Sequence, residues 1–124
     1  MNIVDSSGWL EYFAEGENAG FFTAAIEDTG NLIVPVICVY EVFKRILLVH
    51  GLDVAELRIA DLYKGQQADL TAPLALSAVQ LSVEYKLPMA DSLILATARA
   101  YDAILWTQDE HFKSIPGVKF IAKK

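Results

Sequence analysis

The chain has 124 residues, of which 54% are apolar and 21% charged, and its net charge is −6 at pH 7. This length is typical of one domain spanning residues 1–124, and the composition excludes an intrinsically disordered chain. The negative net charge argues against nonspecific nucleic-acid binding, because phosphate contacts need Lys and Arg. The exception is a site in which several acids bind divalent cations, because these cations reverse the local potential.

The chain begins with a strand that is followed by two helices. NIVD is a short β-branched run that predicts a strand, and SSGWLEYFAEG predicts a helix capped by Ser6 or Ser7. A second helix is expected from Ala19 to Thr29, with Gly30 at its C-terminal stop.

The middle of the chain is predominantly helical. LIV predicts a buried strand ended by Pro35, and Val36–His50 predicts a mostly apolar helix stopped by Gly51. Asp53 is the expected cap of a further helix that runs to about Lys64.

The last part of the chain alternates helices with strands again. An extended piece near Leu70 precedes a helix with Pro73 in its first turn, and Pro88 opens the helix PMADSLILATARAYD. AILWT predicts a hydrophobic strand, QDEHF a turn or helical start, and VKFIA, after a Pro-Gly turn, a final strand. Because the strands are too uniformly apolar to have a wet face, the predicted fold class is α/β, a three-layer sandwich with a mostly parallel central sheet flanked by helices.

Two aspartates follow predicted strands. Asp5 ends the first strand, and Asp109 follows AILWT by two residues. Ligands of open α/β sheets bind beyond the carboxyl ends of the strands, so both side chains are expected at the same edge. Each residue taken alone is equally well explained as a helix cap or a turn residue.

Two further acids lie in predicted helices. Glu41 interrupts the apolar sequence VPVICVYEVFKRILLV, where pairing with Arg45 at i+4 is the structural alternative. Asp91 lies in the first turn of its helix, where a carboxylate also interacts favourably with the helix dipole. Four carboxylates gathered at one edge would repel one another, a cost that proteins retain mainly where a cation binds.

Four segments of the sequence together resemble the PIN domain family, and within it the VapC-type toxins of prokaryotic toxin-antitoxin systems. In chain order they are IVDSSGWLEYF, VYEVFKR, LPMADSLILATA and AILWTQDEHF, and the resemblance spans nearly the whole chain. It implies that four acids bind a metal, namely Asp5, Glu41, Asp91 and Asp109. It also implies that the hydroxyls of Ser6 and Thr107 support these acids. One departure is His111, which precedes Phe112 where many relatives have Asp, and we expect it to be a surface residue rather than a substrate contact.

The resemblance also implies an activity, a metal-dependent endoribonuclease that serves as a toxin, is neutralised by an antitoxin protein and often forms a homodimer. Carboxylate oxygens without neighbouring Cys or His suit Mg²⁺ or Mn²⁺ better than zinc, and such ions activate water for attack on phosphorus. The cations nearest to the predicted site, and therefore the expected contacts of the RNA backbone, are Lys44, Arg45 and Lys113. The choice of RNA over DNA follows from the resemblance alone.

Two alternatives remain open. A phosphoryl-accepting receiver domain is similarly short, acidic and α/β and also binds Mg²⁺, but it would carry an adjacent acid pair after the first strand, where Ser6 and Ser7 follow Asp5 here. A catalytically inactive PIN-like interaction module is disfavoured because all four acids are present.

The sequence shows no targeting or membrane signal. The N-terminus MNIVDSSGW has no basic n-region or long apolar stretch, and no apolar run approaches the ~20 residues of a membrane span. The single cysteine, Cys38, lies in an apolar stretch and is expected to be a buried hydrophobe. We therefore expect a cytoplasmic protein with no membrane partner.

Overall fold

Five short strands form one parallel sheet. The computed structural model describes residues 1–124, and its strands are β1 (Asn2–Val4), β2 (Leu32–Pro35), β3 (Gln66–Ala68), β4 (Ile104–Thr107) and β5 (Val118–Phe120). The strands lie in the order β3-β2-β1-β4-β5, and every pairing is parallel. The predicted α/β class is confirmed, and the sheet is parallel throughout.

Six helices cover the two faces of the sheet. They are α1 (Ser6–Phe13), α2 (Ala19–Ile26), α3 (Val36–His50), α4 (Leu52–Leu62), α5 (Ala72–Tyr85) and α6 (Met89–Ala100). Successive strand residues point to opposite faces. Ile3 accordingly joins a core cluster built with α5 and α6, whereas its neighbour Val4 joins a second cluster built with α1, α2 and α4. Helices bury both faces of the central strands β1 and β2, which explains why these strands are continuous apolar runs.

The strand order reverses next to β1. The chain passes from β1 to β2 on one side of it and later returns with β4 on the other side. In doubly wound sheets such a reversal opens a crevice at the carboxyl ends of the two strands, and ligands bind there. The residues that follow β1 and β4 are therefore the first candidates for a functional site.

Two predicted helix ends in the first part of the chain are wrong. The N-cap of α1 is Asp5 rather than Ser6 or Ser7, because the Asp5 carboxylate reaches the Gly8 N–H at 2.9 Å. Helix α2 ends at Ile26 rather than Thr29, and Gly30 lies within a 3-10 turn formed by residues 29–31 instead of stopping the helix.

The start of α4 also differs from the prediction. Gly51, at φ 88°, ends α3 and directly precedes α4, so Asp53 lies in the first turn of α4 instead of capping it. The extended piece expected near Leu70 is β3, which ends two residues earlier. Cys38 is buried as expected, and none of the helices is both long and apolar enough to span a membrane.

Candidate active site

Asp5 is the most deeply buried acid of the site. It follows β1 and caps α1, so two elements fix its position, and only 2% of its surface is exposed. Its Oδ1 accepts hydrogen bonds from the Gly8 N–H at 2.9 Å and the Ser7 hydroxyl at 2.8 Å, and its Oδ2 accepts one from the Thr107 hydroxyl at 2.5 Å. Burial raises the pKa of Asp5 to about 6 despite these hydrogen bonds, and the charge of Asp109 adds to the increase.

Gly8 allows this close arrangement. A Cβ atom at this position would lie 2.6 Å from both Val4 Cγ1 and Phe22 Cε1. Any side chain at residue 8 would therefore push α1 away from β1 and displace the Asp5 cap. This requirement for glycine was not identified from the sequence.

Thr107 connects two of the acids. It is the last residue of β4, is fully buried, and donates its hydroxyl proton to Asp5. The same oxygen accepts a hydrogen bond of 2.9 Å from the backbone N–H of Asp109. Thr107 therefore lies where a supporting hydroxyl was predicted and fixes Asp109 relative to Asp5.

Asp91 and Asp109 meet through His111. Asp109 caps the 3-10 turn Glu110–Phe112 and accepts the backbone N–H of His111 at 2.9 Å. The ring Nδ1 of His111 lies 2.9 Å from Asp91 Oδ2 and 3.2 Å from Asp109 Oδ1. The His111 side chain is 54% exposed, as expected for a surface residue, but its contact with both acids was not anticipated.

Asp91 lies in the first turn of α6 and is half-buried. Burial is the main cause that raises the pKa of Asp91, and the charge of Asp109 is the second. The charge of Glu41 acts in the same direction. His111 opposes this increase through its hydrogen bond and its charge. The ionised form of Asp91 is thus disfavoured by its acidic neighbours, as expected for a clustered carboxylate.

Glu41 is held at the site by Ser6. It is half-buried on α3, and its Oε1 accepts a hydrogen bond of 2.6 Å from the Ser6 hydroxyl. The ion pairs of the protein involve only Lys64 and His111, so the pairing of Glu41 with Arg45 does not form. Ser6 therefore follows Asp5 in sequence and donates a hydrogen bond to Glu41. This is the position expected of a supporting hydroxyl.

The three predicted cations lie outside the acidic cluster. Lys44 Nζ is 5.8 Å from the centre of the Tyr40 ring, and Arg45 lines a groove between α1, α3 and α4. Lys113 is exposed and directly follows the 3-10 turn that carries His111. None of the three forms an ion pair with an acid, so each is free to contact an anion.

Two buried amides support the turn that carries Asp109. The Asn18 Nδ2 donates to Gln108 Oε1 and to the Ala122 carbonyl, both at 3.0 Å. Gln108 Nε2 in turn lies 3.5 Å from the carbonyl of Ser7. Sequence reasoning missed both residues, although the position of Gln108 between Thr107 and Asp109 was a signal.

The residues present fit a divalent cation. Asp91, Asp109 and His111 each offer one ligand atom, and these atoms lie within 4.8 Å of one another. Asp5 and Glu41 lie close enough to interact with it, since the charge of Asp109 acts on Asp5 and the charge of Glu41 acts on Asp91. The Asp5 carboxylate accepts hydrogen bonds from three donors, and the Ser7 hydroxyl lies within 3.0 Å of both of its oxygens. A cation would offset the charge of Asp109 that adds to the effect of burial on the pKa of Asp91, and the carboxylate oxygens suit Mg²⁺ or Mn²⁺. The expectation that no histidine neighbours the acids is wrong, because His111 Nδ1 lies 2.9 Å from Asp91 Oδ2.

Comparison with known proteins places this geometry in a family. The family model "PIN domain" matches residues 3–118, whereas no curated protein matches the sequence significantly. A toxin-antitoxin complex from Klebsiella pneumoniae contains a chain with a TM-score of 0.79, at 23% identity over 96% of both chains.

Two further solved structures are similar. VapBC2 from Rickettsia felis, bound to a DNA fragment from its promoter, gives a TM-score of 0.74 at 15% identity over 98% of this chain and 97% of that one. VapC20 from Mycobacterium tuberculosis, described as a sarcin-ricin loop cleaving toxin, gives 0.76 at 17% identity over 94% and 95%. At these identities the likeness establishes the fold.

Proposed function

The chain belongs to the PIN domain family, and from that premise we propose that it is a metal-dependent endoribonuclease acting as the toxin of a toxin-antitoxin pair. The observation that carries the proposal is the group of acids at the carboxyl edge of the sheet, where Asp5 and Asp91 both have raised pKa values. A protein keeps such a group mainly when a cation neutralises it. VapC toxins among the structural neighbours support the toxin role.

In this proposal each acid has a defined task. Asp91 and Asp109 would hold Mg²⁺ or Mn²⁺, and Asp5 and Glu41 would add negative charge beside them. The Thr107 hydroxyl orients Asp5, and the Ser6 hydroxyl orients Glu41. A bound ion supplies Lewis-acid chemistry and lowers the pKa of a water for attack on the phosphodiester.

The RNA backbone needs positive charge beside this site. Lys113 is the best-placed candidate, because it leaves the same turn as Asp109 and His111. Lys44 and Arg45 follow Glu41 on α3 by three and four residues, and we propose that they contact phosphates farther along the strand. Each is unpaired in the structure, so no ion pair has to break before it contacts a phosphate.

The two alternatives are less well supported. A receiver domain would place a second acid beside the one that follows β1, but here the residues after Asp5 are serines whose hydroxyls bind Asp5 and Glu41. An inactive PIN-like module has no reason to retain four acids together with hydroxyls that orient two of them.

We further propose an antitoxin protein as partner, since structural neighbours come from toxin-antitoxin complexes. A groove of about 470 Å³ between α1, α3 and α4 is mostly apolar and also contains Arg45, His50 and Arg58. Such a surface suits an amphipathic segment with acidic residues. A homodimer and a cytoplasmic location also belong to this proposal.

Cleavage assays test the proposed activity. The purified protein should cut RNA in Mn²⁺ or Mg²⁺, and EDTA should abolish the cleavage. The substrates should include tRNA and a sarcin-ricin loop RNA, the target named for one structural neighbour. Absence of cleavage across a broad set of cellular RNAs with both ions would contradict the proposal, as would cleavage that persists in EDTA.

A further inference from the structure

The contact of His111 with the two acids is more specific than a surface position requires. Its Nδ1 lies 2.9 Å from Asp91 Oδ2 and 3.2 Å from Asp109 Oδ1, so one nitrogen faces two carboxylates at once. Asp91 comes from α6 and the other two residues from the turn after β4. The His111 side chain is 54% exposed, so packing in the core does not place it there.

These separations match those of neighbouring ligands around one ion. Ligands bound at about 2.1 Å in an octahedral shell lie about 3 Å apart when they are adjacent. The two Nδ1–oxygen distances bracket this value. Nδ1 can therefore be adjacent to each of the two oxygens around one ion, and all three atoms lie within 4.8 Å of one another.

The third donor changes the chemistry of the site. Carboxylates alone suit hard ions such as Mg²⁺, whereas imidazole nitrogen is a softer donor that suits first-row transition ions better than Mg²⁺. We propose that His111 Nδ1 is a third protein ligand beside Asp91 and Asp109, and that it gives this site a preference for Mn²⁺ over Mg²⁺. The inference rests on the proposed function in that it takes the same acids to be metal ligands.

The competing explanation is that His111 only forms a hydrogen bond to the acids and moves away when an ion binds. The two explanations differ in what the ion contacts. If His111 is a ligand, its nitrogen is bonded to the metal ion. If His111 is only a hydrogen-bond partner that moves away, no nitrogen is bonded to the ion.

Pulsed EPR of the protein with bound Mn²⁺ separates them, because ¹⁴N modulation reports a nitrogen bonded to the ion. We expect this modulation in the wild type and in His50→Gln, which removes the only other histidine, and we expect its loss in His111→Asp. Because His111→Asp adds a carboxylate beside Asp91 and Asp109, circular dichroism should confirm that this variant is folded, and the wild-type spectrum is decisive by itself.

Calorimetric binding of Mn²⁺ and Mg²⁺ provides the second readout. The ratio of Mn²⁺ to Mg²⁺ affinity should fall at least about tenfold in His111→Asp, the lower end of the effect of even indirect metal partners. Bound Mn²⁺ without ¹⁴N modulation, or an unchanged ratio, would overturn this inference and leave the nuclease proposal intact. Failure of the wild type to bind Mn²⁺ at all would overturn the inference together with the metal dependence of the nuclease.

Discussion

The acidic site has two halves that the fold builds in different ways. In the buried half, Asp5 is almost completely enclosed, and its hydrogen-bond donors are Ser7 and Gly8, which follow it in sequence, and Thr107 on the adjacent strand β4. In the open half, Asp91 and Asp109 are partly exposed and share the side chain of an exposed residue, His111.

The difference suits the two halves to different roles in the proposed function, one in folding and the other in ion binding. The buried half is rigid because each of its polar groups has a partner that the sheet and α1 fix in place. The open half depends on an exposed side chain, so the cation binding that we propose for its carboxylates would leave the core intact. Changes in the buried half should therefore affect folding, and changes in the open half should affect ion binding.

The largest expected effect is the loss of the Thr107 hydroxyl. Thr107→Val removes one of the hydrogen bonds to the Asp5 carboxylate and leaves the Asp109 N–H without a partner. The loss of a hydrogen bond to a charged group together with one unpaired N–H should lower the free energy of unfolding by about 3 kcal/mol. The matched control is Thr97→Val, because Thr97 is equally buried but bonds only the Leu93 carbonyl in its own helix. Equal losses in urea unfolding of the two variants would remove the special role of the buried half.

The next effect concerns divalent ions and the open half. At an ion concentration of a hundred times the dissociation constant, binding to the folded state alone should add ~2.7 kcal/mol to the free energy of unfolding. Melting curves in EDTA and in Mn²⁺ should show this shift for the wild type but not for Asp109→Asn. Equal midpoints of the wild type in both solutions would argue against a cation site.

The pH dependence of stability tests the burial of Asp5. The pKa of Asp5 is about 6 in the folded protein, whereas the ordinary pKa of an aspartate, which applies to the unfolded chain, is 3.8. The unfolded chain therefore loses the proton first as pH rises, so the wild type should lose stability between about pH 4 and pH 6. The difference between wild type and Asp5→Asn in EDTA should change by about 2 kcal/mol from pH 4 to pH 8. A difference that does not vary with pH would contradict this account.

The smallest effect distinguishes a clustered acid from a helix-dipole partner. In EDTA, Asp91→Asn should be as stable as the wild type or more stable by less than about 1 kcal/mol, since it relieves repulsion in a partly exposed site. A role at the helix N-terminus alone predicts a loss of ~0.3 to 1 kcal/mol. Denaturant midpoints in low salt give the sign, and clear destabilisation would favour the dipole role.

Much of the fold follows from local patterns. The apolar runs predicted β1, β2 and β4, and the sequence between Pro35 and Gly51 predicted α3 with its observed ends. Errors occurred at helix ends, where the local backbone geometry decided the outcome. Asp5 displaces the serines as cap of α1 because its backbone leaves β1 in extended geometry, with its carboxylate over the first turn.

The site was predictable as a set of acids but not as a set of contacts. The positions after β1 and β4 predicted Asp5 and Asp109 at one edge, and the fold brings them there. The position of His111 depends on the direction of a three-residue 3-10 turn, which a sequence motif does not specify. The support from Asn18 likewise joins segments 90 residues apart, and no local signal predicts it.

Cleavage of RNA by matched variants tests the central claim most directly. Asp109→Asn removes one charge from the open half and should lower the initial rate in Mn²⁺ by more than about 100-fold, beyond the usual cost of an outer metal partner. Asp102→Asn removes the same charge from an exposed residue at φ 51°, a conformation that Asn tolerates, and should match the wild type. Asp5→Asn, Glu41→Gln and Asp91→Asn should be impaired in the same way as Asp109→Asn. Wild-type cleavage by folded Asp109→Asn, purified in parallel with the control, would contradict the assignment of the active site.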